Sequence, residues 1–467
     1  MAIRPSRSFR AVRAVRAAVL TVAVVALSIG TATAANASRH RTPGDAPLPG
    51  FTIDNPPLHP VLVGQHPSTV LQGVHSHAAY DIEVPPHWNG DLVMWAHGFR
   101  GSTHVLTVDT PGFGLRQKLL DEGYAWAASS YADNDYDVRS GVLTTHDLAE
   151  FFGRRVHHPH RIYLAGVSMG GHIIGRSIEQ YKHFYAGALP MCGVLGDNRL
   201  FDFFLDYNVV AQDLAGVSAY PPPADYLTNA VPRIEVELGL AGLTPGGPDT
   251  TNALGNELRA ITINRSGGPR PGAEQAFSVW KDFLFGIAAT PPGPTLAGNP
   301  SLVSTNVGTV YAPNSPVDVN ATVQRVPLAD RKDRFSNRLS QIPQIKGTPQ
   351  VPVLTLHGLG DMFVPFSMEE IYGAEVAAHH RSGLVVQRAI RTAQHCEFDA
   401  TEVGKAFDDL VHWVRTGFRP AGDAVTDPAT VASPNFGCRF SDPAAFADPP
   451  AGSTRRLFPA CRSASPA

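Results

Sequence analysis

The stretch Arg161-Ile-Tyr-Leu-Ala-Gly-Val-Ser-Met-Gly-Gly-His172 decides how the rest of this 467-residue chain is read. Residues 161–165 have the character of a buried strand and run into Gly166-Val-Ser-Met-Gly170. A helix is expected over 169–181, because Ile174, Ile178 and Tyr181 fall at i, i+4 and i+7. Small residues at Gly166 and Gly170 permit a tight strand-to-helix turn, which exposes the hydroxyl of Ser168. The same five-residue pattern also arises in glycine-rich turns without chemistry, so Ser168 needs partners elsewhere.

Outward from that stretch the pattern repeats. "AAYDIEVP" (78–85), "GDLVMWAHG" (90–98), "YAWAASS" (124–130), "AGALPMCGV" (186–194), "VPVLTLHG" (351–358) and "GLVVQRAI" (383–390) read as strands. Helices are expected over 143–155 and from about 401, where Val403, Phe407, Leu410, Val411 and Val414 form a 3.6-period face. Apolar strands alternating with amphipathic helices imply an α/β fold, a mostly parallel sheet with helices on both faces. Over 195–345 the alternation is lost. An aromatic helix-like start, "NRLFDFFLDYNVVAQDL" (198–214), gives way to Pro/Gly-rich stretches, which reads as a cap inserted between core strands. The expected organisation is a leader over 1–34, a core over 35–194 and 346–418, the cap, and a Pro/Ala/Asp-rich tail over 419–467 packed on the core.

Acyl transfer by serine requires a nucleophile, a base, an acid to orient the base, and donors for the oxyanion. Ser168 is the candidate nucleophile. Asp361 in "HGLGDMFVP" (357–365) follows a strand and is the candidate acid; Asp197 in "GVLGDN" (193–198) is the alternative. His395 in "TAQHCEF" (392–398), between the last strand and the last helix, is the candidate base. The backbone N–H groups of Phe99, in "WAHGFRG" (95–101), and Met169 are candidate oxyanion donors, with His97 and Gly98 shaping the loop. "HHPH" (157–160) and His379-His380 read as polar loops. "DNDYD" (133–137) starts like a calcium loop but has Val138 and Thr144 where that loop needs Gly and Glu. No metal site is expected.

The N-terminus reads as a secretory leader: Arg4, Arg7, Arg10, Arg13 and Arg16 precede an apolar run and the small-residue stretch Ala32-Thr-Ala34. The run falls short of the about 20 residues that span a bilayer, so cleavage is expected rather than a stable membrane anchor. Removing five arginines and no acid moves the formal charge from −3 to −8, which argues against a nucleic-acid partner. The four cysteines allow three pairings. Cys438 and Cys461 share the tail and are expected to pair; that leaves Cys192 with Cys396, beside the candidate base. A 192–438 link is the alternative. Asn264-Arg-Ser and Asn320-Ala-Thr are glycosylation sequons, given little weight in a composition of bacterial character.

The motifs "HGFRG", "GVSMGG", "HGLGDMFVP" and "AQHCEF" resemble four signatures of the α/β-hydrolase superfamily, in the order nucleophile, acid, histidine. The resemblance covers roughly 75–195 and 350–417. It implies a triad of Ser168, Asp361 and His395, an oxyanion hole at Phe99 and Met169, and a cap after the sixth strand. There is also a general resemblance to feruloyl esterases, tannases and polyhydroxyalkanoate depolymerases. The cysteine next to the histidine is similar to the tannase and feruloyl-esterase group, whereas Val167 stands where that group has a cysteine before its serine.

The function expected is a secreted serine hydrolase of small or polymeric carboxylic esters, with water as co-substrate and no cofactor. Rings of Phe201, Phe204 and Tyr207 are expected to line the substrate pocket, or else to form the cap's own core. A prolyl-type serine peptidase is the alternative, with Asp202, Asp206 or Glu235 as anchor for a substrate amine. A non-catalytic binding protein is a third reading, which the intact triad disfavours. Oligomeric state is left open by the sequence.

Overall fold

A computed structural model describes residues 44–313 and 317–461, so the expected leader lies outside the described residues. The central sheet has eight strands: β1 (Thr69–His75), β2 (Ala78–Val84), β3 (Asp91–Ala96), β4 (Ala125–Ser129), β5 (Arg161–Val167), β6 (Gly187–Met191), β7 (Val353–Gly358) and β8 (Val385–Ile390). Their spatial order is β1-β2-β4-β3-β5-β6-β7-β8. β1 and β2 are antiparallel, as are β2 and β4; every neighbouring pair from β4 to β8 is parallel.

Both faces of this sheet are covered, which explains why its inner strands read as continuous apolar runs. Leu92, Met94 and Ala96 of β3 enter one core cluster, and Val93 and Trp95 enter another on the opposite face. On the far side from α1 (Leu115–Asp121), α2 (Val138–Arg155) and α3 (Met169–Gln180) supply Val142, Phe152, Ile174 and Ile178. α2 starts five residues before the expected position. The side chain of Asp137 accepts a hydrogen bond from the Ser140 N–H and caps it, and Val138 already belongs to the buried stripe.

The segment 195–345 opens with α4 (Arg199–Leu214), α5 (Val231–Glu237), α6 (Ala253–Arg265) and α7 (Ala273–Ala288) and continues mainly as irregular chain. Its apolar residues, among them Tyr207, Val210, Ile261, Phe277 and Leu284, share one cluster with Leu359, Met362 and Ala393 from the loops after β7 and β8. The apolar core of this segment is thus continuous with the strand-end loops, and all described residues fall within one compact unit.

After β7 comes α8 (Ser367–Ala378), and after β8 comes α9 (Ala400–Thr416). α9 starts on a reciprocal capping box of Asp399 and Glu402 and stops at Gly417. Its Val403, Phe407, Leu410 and Val411 are buried, as their periodicity requires. The tail beyond α9 is bonded to the core. The guanidinium of Arg391, itself fully buried, donates to the carbonyls of Pro434, Phe436 and Pro459.

Candidate active site

Ser168 sits between the end of β5 and the start of α3 with φ 57° and ψ −124°, a conformation that costs an L-residue energy. Close approach of β3 enforces the flanking glycines: a Cβ on Gly166 or Gly170 would lie 2.2 or 2.1 Å from the carbonyl oxygen of Ala96. The sequence around the serine therefore serves a sharp turn against a neighbouring strand. The Met169 N–H opens α3 and belongs to the first turn, whose amides lack intrahelical acceptors. The Phe99 loop comes to the same place. A Cβ built on Gly98 would stand 3.0 Å from the Ser168 Cβ and 3.5 Å from its Oγ. Both candidate oxyanion donors thus flank the serine in sequence or in space. The loop is held from below: His97 is buried, its ring stacked 3.9 Å from that of Tyr131, whose hydroxyl donates to the His97 carbonyl. Burial pushes the His97 pKa down.

Asp361 follows β7 and His395 follows β8, at the same end of the sheet as Ser168. One Asp361 oxygen accepts from His395 Nδ1 at 2.6 Å, and the other accepts from the N–H groups of Phe363 and Val364, both at 3.0 Å. A carboxylate so engaged assigns the ring proton to Nδ1 and leaves Nε2 as the basic lone pair. Nε2 is buried and has no hydrogen-bond partner among the described residues. Arg270 adds a positive charge that acts on Asp361. It is buried, donates to the carbonyls of Leu359 and Gly268 and to the Ser266 hydroxyl, and has its pKa lowered to about 10 by burial.

A short path of bonds joins the candidate base to the candidate nucleophile. The Ser168 N–H donates to Met191 at 3.1 Å; Cys192 follows Met191, and Cys192 is disulfide-bonded to Cys396, next to His395. The second disulfide joins Cys438 to Cys461. The two Sγ atoms of the first bridge and a His395 nitrogen lie within 4.8 Å of one another, but the sulfurs are occupied by their own bond and offer no thiolate to a metal.

Asp197, the alternative acid, is placed elsewhere in the network. It is buried, accepts from the Ile345 N–H at 3.0 Å, and pairs with Arg199 at 3.4 Å. Burial pushes its pKa up to about 6.

The three aromatic candidates in α4 separate into two groups. Phe201 and Phe204 belong to an arc of rings that runs Phe99–Tyr136–Phe201–Phe204–Phe363–His395, with centroid separations of 6.4, 5.0, 6.3, 6.3 and 4.9 Å. It connects the candidate oxyanion loop to the candidate base. Tyr207 faces the interior of the inserted segment, where it packs on Phe285 and donates to the Lys281 carbonyl. Phe204→Ala is accordingly expected to change the ranking of substrates by about tenfold in kcat/KM. Tyr207→Phe should leave that ranking intact and cost about 1 kcal/mol of stability. A panel of ester and amide substrates and a denaturation curve on each variant check both.

Sequence reasoning missed Phe363, Trp280, Arg270 and Thr454. Phe363 lies two residues beyond Asp361 and could have been found from that neighbourhood. The other three stand far from the motifs in sequence, and only the fold brings them to the strand-end loops. An open cavity of about 400 Å³ with Arg388, Lys405, Arg419 and Arg439 in its wall shares no residue with this cluster.

No protein-family model matches the chain. It is 22% identical over 401 residues to the o-phthalyl amidase of Xanthobacter agilis, a match covering 74% of this chain and 86% of that one. Among solved structures it is similar to an esterase from Aspergillus oryzae, with 14% identity, 76% of this chain and 81% of that one covered, and a TM-score of 0.44. It is also similar to feruloyl esterase B from Aspergillus oryzae, with 15% identity, coverage of 76% and 82%, and a TM-score of 0.40. The strand order 1-2-4-3-5-6-7-8, the strained Ser168 after β5, and the positions of Asp361 and His395 after β7 and β8 together give the chain the α/β-hydrolase fold.

Proposed function

We propose that the chain is a serine hydrolase that cleaves carboxylic esters through an acyl-enzyme. The observation that carries this reading is the Asp361–His395 pair, whose buried, unpartnered Nε2 belongs to the same sheet end as the strained Ser168. In the proposed reaction His395 Nε2 takes the Ser168 proton as the oxygen attacks the ester carbonyl. Asp361 holds the imidazolium that results. The N–H groups of Phe99 and Met169 receive the oxyanion, aided by the positive end of the α3 dipole. Return of the proton releases the alcohol, and water then repeats the sequence to free the acid.

The arc of rings supports an apolar or aromatic group on the substrate. The three cap carboxylates that a peptidase would need for a substrate amine are already engaged. Asp202 pairs with Arg334 at 2.7 Å, Asp206 with Arg265 and the Tyr311 hydroxyl, and Glu235 with Lys281 at 3.3 Å. A second reading, hydrolysis of aryl amides, is favoured by the likeness to the o-phthalyl amidase. Export fits the leader and the two disulfides. No helix among the described residues is long and apolar enough to cross a membrane. The reading is tested with purified mature protein on p-nitrophenyl esters, phthalyl amides and aminoacyl anilides. Ester turnover abolished in Ser168→Ala supports it; turnover of anilides alone would replace it with the peptidase reading.

A further inference from the structure

The loops that carry Asp361 and His395 meet at one point, and α7 of the inserted segment is wedged there. A single indole N–H, that of Trp280, donates to two carbonyls: Gly360 at 3.0 Å and Ala393 at 2.6 Å. Gly360 immediately precedes Asp361, and Ala393 lies two residues before His395. The same junction is closely packed. A Cβ on Gly360 would lie 2.8 Å from the Ala393 Cβ and 3.0 Å from the Cβ of Ala276, one turn before Trp280 on α7. The Ala393 peptide is also gripped from the opposite chain region, since its N–H donates to Thr454 Oγ1 in the tail at 2.7 Å, and the next N–H, Gln394, does so at 3.0 Å.

Given the Asp361–His395 assignment above, on which this rests, we infer that Trp280 is a positioning residue for the reaction. Its N–H fixes the spacing of the acid and base loops, so the cap acts on the chemistry as well as on substrate choice. The physical reason is directional. A donor shared by two carbonyls on different loops restrains their separation, and an error of about 1 Å in a catalytic pair costs about a hundredfold in rate. Apolar packing by the indole alone does not carry that restraint.

The test compares the parent with Trp280→Phe and with Trp280 replaced by its benzothiophene isostere, which keeps the ring shape and removes the N–H. Trp88→Phe serves as control, because it also removes an indole donor to a carbonyl, that of Asp91, outside the site. Both Trp280 variants are expected to lose tenfold or more in kcat with KM little changed, and to shift the acidic limb of the pH–rate profile. The downfield proton resonance of His395 Nδ1–H should broaden in both. Trp88→Phe should keep the parent's kcat. Unchanged kcat and resonance in the isostere variant, or an equal kcat loss in Trp88→Phe, overturns the inference. Because the resonance is read without substrate, it reports on Trp280 even if Ser168→Ala retains activity and the hydrolase reading fails.

Discussion

Ser168→Ala is expected to lower kcat for p-nitrophenyl esters by about 10⁴–10⁶-fold, with the fold intact. Members of a nucleophile–base–acid unit act together, so deleting the attacking oxygen removes the whole covalent route and leaves only binding and oxyanion stabilisation. The substitution is mild structurally, because the Ser168 side chain makes no hydrogen bond to the described residues that holds β5 or α3 in place. Its backbone bonds to Met191, Gly171 and Val194 survive in alanine. The variant should therefore keep the parent's melting temperature. Comparable turnover by the alanine protein, after removal of contaminating esterase, would show that the serine is not the nucleophile.

Asp361→Asn is the second large effect, about 10⁴-fold in kcat. The amide cannot accept from both His395 Nδ1–H and the two backbone N–H groups in the same way, and it favours the wrong imidazole tautomer. Asp197→Asn is expected to retain most activity, since Asp197 serves Arg199 and the Ile345 N–H rather than the histidine. It should change stability instead. The folded state raises the Asp197 pKa to about 6, above the about 3.9 of an unfolded chain, so folding favours the neutral form. Its stabilising contribution is present below pH 4 and is lost as pH rises through about 6. Asp197→Asn should thus melt higher than the parent above pH 6, with the difference shrinking toward pH 4. A dead Asp197→Asn protein beside an active Asp361→Asn protein would reverse the assignment.

The core was legible because its strands are buried on both faces and its site residues stand at strand ends. "VPVLTLHG" and "GLVVQRAI" announce β7 and β8, and Asp361 and His395 follow at the distance of a short loop. β1 was not foreseen: it is an edge strand, half exposed, with Gln72 and Gly73 interrupting any apolar pattern. The start of α2 was hidden by the polar "DNDYD" run, whose last residue turns out to be a helix cap. In α4, Phe201, Phe204 and Tyr207 look alike in sequence, yet they divide between the ring arc and the cap interior. Helical spacing says which residues share a face, not what that face meets. Trp280 shows the same limit, for nothing near it in "AFSVWKDFLF" tells of two carbonyls more than seventy residues downstream.

The bonds from Thr454 to the Ala393 and Gln394 amides have a consequence for the timing of activity. Synthesis runs from the N-terminus, so the sheet, the Ser168 turn and the Asp361 loop can all form before the residues around 454 emerge. Until then the histidine loop lacks one of its braces, since the Trp280 bond to the Ala393 carbonyl and the Cys192–Cys396 bridge do not depend on the tail. A chain still lacking these residues would carry a folded scaffold with a less well aligned His395. A chain ended after residue 450 is expected to show native-like far-ultraviolet circular dichroism and strongly reduced kcat; full activity in that truncated protein would remove the tail from the account of how the histidine loop is held.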